Sequence, residues 1–109
     1  MIFAIILTYT RPIEEVQRHL DPHKVWLAAQ LRQGRVICAG PLAAGGGGLI
    51  LASCADEAEL HAMMALDAFI RQGVASYQAH GCTPALAAAG FPAHWVPQAT
   101  FIGSGAQER

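Results

Sequence analysis

Residues 21–54, DPHKVWLAAQLRQGRVICAGPLAAGGGGLILASC, carry the chain through a helix, a strand, a turn and a second strand. Asp21 offers a capping carboxylate, and Pro22 suits the first helical position, where a missing N–H costs no hydrogen bond. The helix is expected to run to about Gln33, with Gly34 as its stop. Val25, Ala28, Ala29 and Leu31, with Arg32 at the edge, recur at spacings of three and four and mark the expected inward face. Residues 35–40 read as a strand closed by Gly40-Pro41. Residues 42–48 form a glycine-rich connection, and residues 48–54 return as a strand, so the pair reads as a hairpin. The run Gly45–Gly48 is followed by no Lys and by a strand rather than a helix. It therefore reads as a turn and not as a phosphate cradle.

The flanks complete the pattern. Before this stretch, residues 2–9 (IFAIILTY) are β-branched and aromatic and read as a strand, which Thr10-Arg11-Pro12 ends. Residues 13–19 suit one or two helical turns. After it, Asp56 caps a helix over about 57–66, with Glu59 completing a capping box and Leu60, Met63 and Met64 turned to the core. Residues 67–73 read as a loop or helical turn, and residues 74–82 as a last strand ended by Thr83-Pro84. The order β-α-β-β-α-β is the split arrangement of ferredoxin-like folds, an α+β class with an antiparallel sheet and two helices on one face. Strands one and three are apolar at both parities, so the bare sheet face also needs cover. A homodimer through that open face is the expected solution. Residues 1–84 are expected to form the domain and residues 85–109 a C-terminal extension. Phe91, Trp95 and Phe101-Ile102 are its expected anchors, with a short strand near 99–102 and a frayed end over Gly103–Arg109.

Composition narrows the function. The chain has 109 residues, 53% apolar and 14% charged, with a formal net charge of −1. One domain fits that length, and so apolar a small chain points to a partner subunit. No basic run or basic face appears, so nucleic acid is an unsuitable partner. No apolar run is long enough for a membrane span, and the opening stretch lacks a basic n-region, which points to a cytoplasmic protein. Cys38, Cys54 and Cys82 show no C-x-x-C and read as small buried hydrophobes. His19 and His23 are four apart, but Pro22 between them is expected to interrupt the helix, so no metal site is expected. His61, His80 and His94 are scattered.

The string HKVWLAAQLRQGRVICAGPL over residues 23–42, the Gly-rich turn, the Glu/Ala-rich helix, Asp67-Ala68-Phe69 and Gly73 together resemble the YciI-like (YCII-related) family. The resemblance spans about residues 1–84. It implies a dimeric α+β barrel with His23 and Asp67 as a catalytic pair in a cleft. Beside that implication, Gly40-Pro41 reads as a strand terminator or as a backbone wall of the pocket, and Tyr9 as a core or rim packing residue or as a hydroxyl offered to the substrate. Ala68 stands where the family usually has Pro, which loosens the turn after Asp67. A branch of the family resembles dehydrochlorinases acting on chlorinated hydroxyquinols, and the wider fold includes muconolactone isomerases and small oxygenases.

A His near a helix N-terminus is favoured in its neutral form by the helix dipole. A carboxylate on one ring nitrogen fixes the tautomer and stabilises the cation formed on proton uptake. Such a pair suits a lyase or isomerase that abstracts a proton from a small hydroxylated or carbonyl metabolite. It requires no cofactor and no metal. Two other readings stand beside it: a non-catalytic dimer that holds a small ligand, and an interaction subunit whose tail is a docking arm.

Overall fold

The computed structural model describes residues 1–103. Strand β1 (Ile2–Tyr9) leads into helices α1 (Ile13–Gln17) and α2 (Leu20–Arg32). Strands β2 (Val36–Pro41) and β3 (Gly47–Ser53) form the hairpin. Helices α3 (Glu57–Met64) and α4 (Ala68–Arg71) precede strand β4 (Ala75–Cys82). The sheet order is β2-β3-β1-β4, with every neighbouring pair antiparallel. This is the ferredoxin-like α+β fold, with each helical crossover broken into two helices.

Alternation along β1 sends Phe3, Ile5 and Leu7 to one face, where they pack with Val16, Trp26, Leu60, Met63, Met64 and Phe69 in a single core. Their neighbours Ile2, Ala4 and Ile6 face the other way and are only half-buried. The hairpin uses its glycines in two ways. Gly45 and Gly46 have φ of 82° and 80°, the left-handed region that other residues avoid. Gly47 instead presses against β1, where a Cβ would lie 1.8 Å from the Leu7 carbonyl oxygen. A bulge between Val36 and Cys38 shifts the β2 register, so that Ala39 pairs with Ile50 and Pro41 with Gly48. That shift turns Ala39 and Pro41 towards the helix-covered side.

Local signals are realised closely at α3. Asp56 Oδ1 accepts the Glu59 N–H at 2.9 Å, and Glu59 Oε1 accepts the Ala55 N–H at 2.9 Å. The helix ends at Met64 rather than near residue 66.

Helix α2 departs from expectation twice. Its N-cap is His19, not Asp21, and the His23 N–H bonds the His19 carbonyl at 3.1 Å across Pro22. Pro22 falls among the first four positions, whose N–H groups have no helical partner, so it does not interrupt the helix. The inward face also differs. Val25 is 71% exposed and Leu31 45%, while His23, Trp26 and Gln30 are buried. The apolar spacing selected the outer flank because two residues of the true inward stripe are polar.

Two of the three cysteines also differ from expectation. Cys54 is buried, but Cys38 and Cys82 are exposed at strand positions that miss the core. Beyond β4, strands β5 (Leu86–Ala88) and β6 (Thr100–Ile102) pair in parallel as a separate two-stranded sheet. Trp95 does anchor this segment, its Nε1 donating to the Gly34 carbonyl at 3.2 Å, and Val96 beside it is buried. Phe101 and Ile102, expected as anchors, are exposed, by 37% and 58%. The frayed end expected beyond Gly103 lies outside the described residues. Among the described residues, no helix is long and apolar enough to cross a membrane.

Candidate active site

Helix α2 and the short helix α4 bring two distant residues together. Asp67 is the N-cap of α4, and its Oδ1 accepts the Phe69 N–H at 3.1 Å. The same oxygen lies 2.6 Å from His23 Nδ1. Asp67 is fully buried, and its other oxygen, Oδ2, has no hydrogen-bond partner among the described residues. An ionised carboxylate accepts only, so Nδ1–H is the donor and the proton-free nitrogen of a neutral ring is Nε2. The turn loosened by Ala68 is thus closed by the Asp67 cap.

Aromatic rings hold the imidazole in plane. Phe69 stacks on His23 with centroids 3.8 Å apart and planes 5° from parallel. Trp26 lies 6.0 Å from His23 at 33°, and Tyr9 meets Phe69 edge-on at 6.1 Å. The ring is therefore gripped at one nitrogen and stacked against an aromatic face.

His23 lines a cleft of about 290 Å³ between α2 and the sheet. Leu20, His23, Lys24 and Leu27 supply its helical side, at spacings that share one helix face. Tyr9, Gly40 and Pro41 line it, together with Leu7, Ala39, Gly48, Leu49 and Ile50 from the sheet. Asp67 sits behind His23 and does not line the cleft. Sequence reasoning missed Phe69 and Lys24. The first was visible only as part of Asp67-Ala68-Phe69. The second was marked by its place in the Leu20-x-x-His23-Lys24-x-x-Leu27 spacing.

A second histidine pair lies away from the cleft. His61 Nδ1 is 2.5 Å from the Tyr77 hydroxyl. Burial pushes the Tyr77 phenol up from its ordinary value, so the hydroxyl keeps its proton, and the His61 tautomer sets which partner donates in their hydrogen bond. His61 is solvent-exposed there and does not line the cleft at His23. No group of three or more His, Cys, Asp or Glu suited to a metal ion occurs among the described residues.

The fold and the site define a ferredoxin-like α+β protein with a buried His–Asp pair behind an apolar cleft. The YCII-related domain matches residues 1–80, and the chain belongs to that family. Among solved structures, 5-chloro-2-hydroxyhydroquinone dehydrochlorinase from Burkholderia phenoliruptrix, in complex with 2,5-dihydroxybenzoquinone, is similar in fold. It superposes with a TM-score of 0.60 at 18% identity, over 75% of this chain and 93% of that one. No curated protein matches the chain.

Proposed function

We propose that the protein is a cofactor-independent lyase or isomerase acting on a small hydroxylated or carbonyl-bearing molecule, with His23 Nε2 as general base. The observation that carries this reading is the 2.6 Å contact between His23 Nδ1 and a fully buried Asp67. Asp67 holds the tautomer that presents a lone pair at Nε2, and its charge stabilises the imidazolium once the proton is taken. The proton comes from a hydroxyl or from carbon beside a carbonyl. An isomerase returns it to a different carbon. A lyase lets a leaving group depart with its bonding pair, while the electrons of the broken C–H or O–H bond form the new C=C or C=O double bond. Tyr9, Gly40 and Pro41 would bind and confine the substrate. The dehydrochlorinase activity of a protein with the same fold favours the elimination form.

A ligand-holding dimer without chemistry is the alternative. The Ala at position 68 and the absence of a strong nucleophile in the sequence favour it, and the Phe69 N–H bond to Asp67 weighs against it.

The test is turnover. Wild-type protein and His23→Gln, each checked for fold by circular dichroism, are assayed on chlorinated hydroxyquinols for chloride release and on unsaturated lactones for isomerisation. The variant is expected to be slower by about 10²–10⁴-fold on the best substrate, the usual range for a lost acid–base group. Equal rates would overturn the base assignment.

We also infer that the open sheet face, with Ile2, Ala4, Ile6 and Leu51 on it, is covered by a second copy of the chain. Those residues are only half-buried in one chain. Ile6→Lys is expected to convert a dimer to a monomer in sedimentation velocity. A wild-type protein already monomeric, or an Ile6→Lys protein still dimeric, would refute that surface.

A further inference from the structure

We propose that Lys24 sets the substrate specificity of the cleft, and that the cleft takes a small, mostly apolar molecule carrying one anionic oxygen. This deepens the general-base reading of His23 and rests on the same cavity.

The cleft has one formal charge in its lining. Among the described residues Lys24 is the only Lys, Arg, Asp or Glu there, and the remaining walls are largely aliphatic and backbone. Among the described residues Lys24 forms no ion pair. Asp67 is spent on His23 and on the Phe69 N–H, and it does not reach the cleft. A cation beside apolar walls, with no carboxylate at ion-pair distance among the described residues, is matched by a negative group on the occupant.

Geometry gives the charge a role. Lys24 follows His23 directly, and both lie on the face of α2 that lines the cleft. The lysine stem can lie along the neighbouring leucines while its ammonium meets an anion. One small ring can then place an anionic oxygen at Lys24 and its reactive hydrogen at His23 Nε2. Lys24 is itself solvent-exposed while lining the cleft, which suits an occupant that brings its charged oxygen to the open side. A phenolate and a carboxylate share the required chemistry.

The experiment uses the full chain and isothermal titration. Benzoate is compared with benzamide, and 4-nitrophenolate with 4-nitroanisole, at a pH where the phenol is ionised. At least one anion is expected to bind wild type about tenfold more tightly than its neutral isostere, the scale of one charge-assisted hydrogen bond. Lys24→Met should remove that preference and leave the neutral ligand within about twofold, while Lys24→Arg should retain it. The pair of ligands that shows the effect tells a phenolate site from a carboxylate site. Anions and isosteres binding alike in wild type, no binding by either anion, or an anion preference surviving in Lys24→Met would each overturn the proposal. His23→Gln separates the two readings. An anion preference kept in that variant, with turnover also unchanged, would sink the general base and leave Lys24 standing.

Discussion

Replacing Asp67 with Ala is expected to lower the free energy of unfolding by about 2–5 kcal/mol, the combined range for a lost N-cap and a buried N–H left without an acceptor. Three losses combine. The carboxylate is the N-cap of α4, and its Oδ1 accepts the Phe69 N–H. The same oxygen is the partner of His23 Nδ1, whose N–H would be left buried without an acceptor. The side chain is completely buried, so deletion also leaves a void beneath the imidazole. Asp67→Asn separates these contributions. Its carbonyl oxygen can keep the cap and the histidine bond, but its amide would replace Oδ2, which has no partner. Two stranded N–H donors then cost about 1–3 kcal/mol, less than the alanine variant loses. Urea denaturation should therefore rank wild type above Asn and Asn above Ala. Turnover should not follow that rank. Both variants lack the negative charge that stabilises imidazolium, so both should be slowed by about 10²–10⁴-fold. An Asp67→Ala protein as stable as wild type would mean that the buried carboxylate contributes nothing net to the fold.

The contrast between α3 and α2 explains what the amino-acid sequence made legible. At α3, Asp56 and Glu59 act on backbone groups within four positions of themselves, so the pattern and its hydrogen bonds lie in one short window. The strand order follows for a similar reason: each strand is bounded by its own glycine or proline. Helix α2 is different. Its buried stripe is His23, Trp26 and Gln30, and the justification for burying His23 is an aspartate 44 positions later. A reading by apolar spacing therefore chose Val25 and Leu31, which the fold leaves in solvent. The pair itself was legible only through family resemblance. Of the cleft's far wall only Gly40 and Pro41 were legible; Ala39 was not, because its place depends on a one-residue bulge after Val36 that turns it inward. Lys24 was overlooked for the complementary reason. A charged residue on a helix reads as a solvated one until the opposite wall is known.

Gly47→Ala is expected to be the most damaging single substitution in the hairpin. The new Cβ would lie 1.8 Å from the Leu7 carbonyl oxygen and 2.8 Å from its carbon. Both are backbone atoms of β1, which is hydrogen-bonded on both sides, to β3 and to β4. No side chain can rotate away to relieve the contact. Relief requires the start of β3 to lift from β1, which strains the Tyr9 N–H bond to Gly46 and the Leu42 N–H bond to Gly47, each 2.9 Å. Overpacking against movable neighbours costs about 1–3 kcal/mol, so a clash with fixed backbone should cost at least about 3 kcal/mol. Gly46→Ala is the matched control. Gly46 has a left-handed φ but open space around it, so alanine there should cost only about 1–2 kcal/mol of backbone strain. The two variants separate close approach from turn conformation. Equal denaturation midpoints would mean that β3 can move off β1 freely. The site would register the same displacement, since Gly48, Leu49 and Ile50 directly follow Gly47 and line the cleft opposite His23. Ligand affinity should therefore fall in Gly47→Ala even at temperatures where the protein remains folded, and remain near wild type in Gly46→Ala.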